Sequence, residues 1–168
     1  MRHAAIALGV AVGLAACAAA ATTITTGWDG VYERRFENGL VSGERFESTN
    51  SLDIFRIDDQ SALVEIDLAF YNGHECAFTG VFQVEGESLV YREPESEVPD
   101  YRGQCVLTVA RENGEMMFGD ESGNCRDTCG ARGGYNSVSL PVASQRPLTD
   151  EERTRAMRQL ELLRQGEP

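Results

Sequence analysis

The sequence predicts a mainly β domain: a small antiparallel β-barrel or curved meander sheet of about seven or eight strands, stapled by disulfides and followed by a C-terminal α-helix. Three observations lead there. Short apolar runs of alternating character recur along the middle of the chain, separated by Asn-Gly and other Gly-containing turns. Four cysteines lie within that β-patterned part. Only Thr149 to Gln165 carries helical periodicity with both a start and a stop signal.

The 168 residues suffice for one domain once the ends are set aside, and 42% hydrophobic with 25% charged residues suits a chain with a real core. The N-terminus reads as a targeting segment. Arg2 and His3 form a short basic start, and Ala4 to Ala16 is an apolar run too short to cross a bilayer as a stable helix. Leu14-Ala15-Ala16-Cys17 resembles a bacterial lipobox, so residues 1–16 are expected to be removed and Cys17 to become the lipidated first residue. The competing reading is a cut by ordinary signal peptidase within Ala18 to Ala21, leaving a free periplasmic or secreted protein. Residues 17–27, small and low in complexity, then serve as anchor and tether.

The β domain spans 28–146. Trp28, Val31, Tyr32 and Phe36 open it, with a first strand near Val31 to Phe36 and turn signals at Asn38-Gly39 and Ser42-Gly43. Leu52 to Ile57 is a second strand, turned by Asp58 to Ser61. Val64, Ile66, Leu68 and Phe70 then alternate with polar or small residues, as do Cys76, Phe78, Gly80 and Phe82 after Asn72-Gly73. A two-residue Asn72-Gly73 turn would set Asp67 against Phe78, charge against core. A three-residue loop Asn72-Gly73-His74 instead sets Phe70 opposite Cys76 and Leu68 opposite Phe78, and points Cys76 inward. Gly86-Glu87 makes the next turn, with Val84 facing Leu89. Arg92 to Gly103 breaks the pattern with two prolines and four acids and reads as a long exposed acidic loop. Cys105 to Arg111 and Glu115 to Asp120 pair about Asn113-Gly114, setting Val109 opposite Phe118 and Arg111 opposite Met116. Tyr135 to Val142 closes the sheet. In the last segment, 147–168, Thr149 and Glu152 form a capping-box pattern, and Ala156, Leu160 and Leu163, with Met157, make a narrow apolar stripe flanked by arginines. This helix docks on the barrel or extends from it.

Setting Cys17 aside leaves Cys76, Cys105, Cys125 and Cys129, an even number that reads in an exported chain as two disulfides with three possible connectivities. The hairpin about Asn113-Gly114 carries Cys105 towards Ser122 and so close to Cys125, which favours Cys105 with Cys125 and Cys76 with Cys129. The rival, Cys76 with Cys105, links strands that a meander would separate by another strand, about 10 Å away and beyond disulfide reach. No metal or other cofactor is expected: one histidine remains in the mature chain, and the cysteine spacings are not those of a zinc knuckle.

Acidic residues outnumber basic ones 27 to 15, for a formal charge of −12 that becomes −13 once Arg2 is lost with the signal. Such a surface repels nucleic acid and suits a cationic protein partner. No phosphate loop, H-E-x-x-H or G-x-S-x-G pattern occurs, and His74 in a tight turn is no convincing catalytic group. Asp58-Asp59 and Asp120-Glu121 read as solvated turn acids. The segment Cys125 to Gly134 (C-R-D-T-C-G-A-R-G-G) is the remaining candidate: its glycines permit positive φ, and Arg126 and Arg132 sit beside disulfides that would hold them still. With Tyr135 and His74 they form the candidate contact set. The plainer reading has the glycines serve chain reversal and the arginines pair with Asp120 or Asp127.

N-G-H-E-C at Asn72 to Cys76, G-Q-C-V-L-T at Gly103 to Thr108 and the C-R-D-T-C-G-A-R-G-G segment together resemble a group of small, largely uncharacterised four-cysteine exported proteins of Gram-negative bacteria, over roughly Leu63 to Leu140. In architecture and location alone, a lipidated small disulfide-bonded barrel is similar to the membrane-bound inhibitors of C-type lysozyme, although their Ser-Gly-x-x-Tyr inhibitory segment does not occur here. The resemblance implies a non-enzymatic envelope lipoprotein on the periplasmic side, most simply at the outer membrane, acting as a binding or protective module against a cationic, lysozyme-like partner. The alternative is a structural or assembly lipoprotein with the C-terminal helix as its partner surface.

Overall fold

The computed structural model describes residues 27–166; the expected signal peptide, lipidation site at Cys17 and tether up to residue 26 lie outside the described residues. Eight strands form one antiparallel sheet in which spatial order equals chain order. They are β1 (Gly30–Gly39), β2 (Arg45–Arg56), β3 (Ser61–Phe70), β4 (His74–Glu85), β5 (Ser88–Arg92), β6 (Val106–Glu112), β7 (Glu115–Gly119) and β8 (Ser139–Pro141). A single helix, α1 (Asp150–Gln165), follows.

The sheet curls into a nearly closed barrel, and the chain after β8 closes most of the remaining gap. Val31 and Arg146 exchange two backbone hydrogen bonds of 2.9 Å each, and the Glu33 N–H donates to Ser144 Oγ at 3.0 Å. Inside lie Tyr32, Leu52, Ile54, Val64, Ile66, Leu68, Phe82, Leu107, Val109, Met116 and Leu140, none more than 1% exposed. Period-2 alternation puts them there, because every second side chain of a strand points to the same face. β3 breaks the alternation at Ala62-Leu63-Val64, all buried, because Leu63 on the outer face is covered by α1.

The helix begins as its sequence predicts. The Thr149 hydroxyl accepts from the Glu152 N–H, the Glu152 carboxylate accepts from the Thr149 N–H, and Gly166 ends the helix in the left-handed region at φ 71°. It docks on the barrel: Ala156 and Leu160 are buried with Leu63, against Phe55, Ile57, Val81 and Leu163. Met157, read as part of the stripe, stays 55% exposed. Arg155 ties the helix to β2 and β3 through Asp53 at 3.0 Å and Glu65 at 3.5 Å.

Three local expectations need correction. Asn38-Gly39 is no turn: both residues pair within β1, and the reversal comes at Leu40–Glu44. Asn38 is instead buried, its amide donating to Ser48 Oγ and to the Phe70 carbonyl. The β3–β4 loop is three residues long, but it is Tyr71-Asn72-Gly73, with Asn72 and Gly73 both at positive φ. The register is therefore shifted by two, with Leu68 opposite Cys76 and Ile66 opposite Phe78. A shift of two preserves the faces, so Cys76 still points inward, fully buried. The β4–β5 and β6–β7 hairpins have the registers read from their turns, Val84 opposite Leu89 and Val109 opposite Phe118.

Candidate functional site

Two disulfides, Cys76–Cys129 and Cys105–Cys125, bind the loop after β7 to β4 and to the start of β6. The pairing is the one the hairpin geometry favoured. Cys76 and Cys129 also form a β-bridge, and the Gly130 N–H donates to the Glu75 carbonyl at 2.7 Å, so the loop lies flat against β4. Gly130 and Gly133 are not there for positive φ. A Cβ at Gly133 would sit 2.7 Å from Cys76 Sγ, and one at Gly130 would sit 3.0 Å from His74 Nδ1, so what they supply is space for a close approach.

The candidate contact residues separate in space. Arg126 and Arg132 are exposed and, among the described residues, make no ion pair. His74 is half-buried against Gly130. Tyr135 is 1% exposed, with its hydroxyl on Thr128 Oγ1, so its side chain belongs to the core and is not offered to a partner. Asp120 and Asp127 do not serve the two arginines. Asp120, read as a solvated turn acid, is 4% exposed and accepts the Cys125 N–H, while Asn136 bonds its backbone on both sides. Asp127 is engaged by two residues of the acidic loop.

Those residues are Tyr101 and Arg102. The Arg102 guanidinium grips Glu93 with two bonds, 2.6 and 2.8 Å, and its Nε reaches Asp127 at 2.7 Å. Glu93, counted among the acids of an exposed loop, is in fact buried, and also accepts the Cys105 N–H at 2.9 Å. The Tyr101 hydroxyl donates to Asp127 at 2.6 Å while its ring stays 75% exposed. The hydrogen bonds from Tyr101 and then Arg102 hold the Asp127 carboxyl below the ordinary carboxylate range, and those from Arg102 do the same for Glu93. Beside the clamp lies a shallow pocket of about 410 Å³, lined by Glu95, Val98, Pro99, Asp100, Arg102 and Gln104. The acidic loop is thus braced at its root by a bidentate arginine and a disulfide, and it presents the exposed Tyr101 ring. Two arginines six residues apart in a glycine-rich segment drew attention in the sequence, whereas a lone Arg102 in an acidic loop did not.

Among the described residues, no group of three or more His, Cys, Asp or Glu is placed to hold a metal ion, and no helix is long and apolar enough to cross a bilayer. Comparison with family models, with curated proteins and with solved structures finds no match for this chain.

Proposed function

We propose that this chain is an envelope-held binding module for a cationic protein partner, and that the braced loop from Glu93 to Gln104 is its contact surface. The observation that carries the reading is the exposed Tyr101, held by Asp127 above the Glu93–Arg102 clamp. A large aromatic kept outside the core, on a loop whose ordering entropy is met by folding and not by binding, is the usual composition of an interface anchor. Glu95, Glu97 and Asp100 surround it in sequence with exposed negative charge. A cationic surface would be steered to this rim and anchored on the ring. Arg126, beside Asp127 in sequence, is the nearest candidate for a countercharge to the partner's own acids.

A basic C-type lysozyme is the partner class to test first, by pull-down at low and moderate salt. Capture is expected at low salt, weakening as salt rises, with Tyr101→Ala lowering affinity about tenfold or more. No capture at low salt would refute the lysozyme assignment. Metabolic labelling with palmitate tests the location, with label expected on the wild type and lost in Cys17→Ser.

A further inference from the structure

We infer that the open end of the barrel beside β1 and β2 is a binding site for a small aryl carboxylate, held by Arg34 and Asn50. These two residues stand directly opposite each other on β1 and β2. Each lies two residues from an inward-facing core residue, Tyr32 for Arg34 and Leu52 for Asn50, so both belong to the barrel's inner face. Tyr32 and Leu52 form the next inward pair of the same ladder and are fully buried. The Arg34–Asn50 pair thus marks where the packed interior ends. There a pocket of about 330 Å³ opens, within the size range of small-molecule sites. Phe36, Phe70, Tyr71 and Val138 supply its apolar walls. The site shares no residue with the Glu93–Gln104 loop.

The polar groups pick the head of the ligand. Asn50 is 5% exposed, and its Oδ1 accepts the Ala69 N–H at 2.8 Å. That bond fixes the orientation of the amide, because only its oxygen can accept. The Nδ2 group, on a side chain that lines the pocket, meets no acceptor among the described residues. A nearly buried donor left unmet is costly until something accepts from it. Arg34 donates from Nη2 to Glu115 at 2.8 Å, and its Nε and Nη1 meet no acceptor among the described residues. These unmet groups are donors and one of them is a cation, so the matching head is a carboxylate. The walls pick the body. Among the described residues, Phe36, Phe70 and Tyr71 pack on no other aromatic ring, so no ring of the protein takes the place an aryl group would fill. The chain's overall charge of −12 does not bar an anion here. At about 0.15 M salt, exposed acids are screened beyond about 8 Å, and Arg34 lines the pocket itself.

The test is heteronuclear amide NMR of the full-length oxidised protein in nonionic detergent, titrated with hydrocinnamate at about 0.15 M salt. A saturable shift of the Asn50 side-chain amide is expected, with Kd in roughly the 0.1–1 mM range. The neutral hydrocinnamide should bind about tenfold more weakly. Asn50→Asp keeps an oxygen for the Ala69 N–H and replaces the donor with a charge that repels the ligand, so the accompanying shifts of the Ala69 and Phe70 backbone amides should disappear. Arg34→Gln gives up only a part-exposed ion pair of the fold, and it should weaken binding about tenfold. No saturable shift at about 10 mM hydrocinnamate overturns the inference. So does equal affinity for the amide, or binding unmoved by Arg34→Gln, since the head would then not be read as a carboxylate. Tighter binding of octanoate than of hydrocinnamate would refute the aryl assignment.

Discussion

Removing the two disulfides separately should rank them by the length of chain each one closes. Cys105–Cys125 spans 20 residues and lies inside the 53-residue ring closed by Cys76–Cys129. With the inner bridge intact, the outer one closes only about 33 residues of freely varying chain, 53 less 20. In the chain-entropy account its removal then costs about 3.7 kcal/mol at 25 °C. The inner bridge alone closes a ring worth about 3.3 kcal/mol, which falls to about 2.9 kcal/mol when the outer one already restrains the chain. Cys76→Ala with Cys129→Ala should therefore be the more damaging pair, by about 0.8 kcal/mol. Both pairs together should cost about 7 kcal/mol, enough to unfold a domain of ordinary stability. Urea unfolding followed by Trp28 fluorescence supplies the numbers, since Trp28 is packed in the core at 8% exposure. If the inner pair proves the costlier, chain entropy is not what these bridges supply, and the cause must be sought in the native contacts around Cys105, where Glu93 accepts its N–H.

Other outcomes follow from single contacts. Gly133→Ala should destabilise by about 1–3 kcal/mol, since the new Cβ meets the Cys76–Cys129 bridge and the backbone there is held by Gly130 and Glu75; chemical denaturation would show it, and a neutral result would mean that the loop can lift from β4. Leu160→Ala should cost about 2 kcal/mol by opening the seam between α1 and β3, visible as a fall in the midpoint of urea unfolding. Asp53 is pushed up to about 6 by burial first and by Glu65 second. A raised carboxylate favours the folded state most below its unfolded value of 3.8 and loses that contribution as pH rises through about 6. Asp53→Asn should thus gain in melting temperature relative to wild type as pH goes from 4 to 7, and a difference that does not vary over that window would contradict the shift. Glu152 behaves oppositely, held down to about 2 chiefly by Arg146; its contribution should be complete above pH 4.5 and be lost as pH falls towards 2, to be read from acid unfolding of wild type against Glu152→Gln.

The class of fold, the alternation that sorts the barrel's two faces, the capping box that starts α1 and the disulfide pairing are legible in the residues alone. Each rests on near neighbours in the chain or on a hairpin whose turn residues are in plain view. Asn113-Gly114 sets the β6–β7 register because two positive-φ residues leave little choice. At Tyr71-Asn72-Gly73 the same chemistry left a choice of two residues, since both three-residue loops keep the apolar faces matched, and only the whole sheet selects one. Tertiary structure alone decided the rest. Asn38 could be read as a turn residue until the Phe70 carbonyl, distant in the chain, was found as its partner. Likewise Arg102 is unremarkable in a list of acids and prolines, because what makes it a clamp is that Glu93 and Asp127, 9 and 25 residues away, converge on it. The seam that closes the barrel is equally invisible in one dimension: it forms where the chain after β8 returns to β1, with Arg146 on Val31 and Ser144 on Glu33, 111 residues apart.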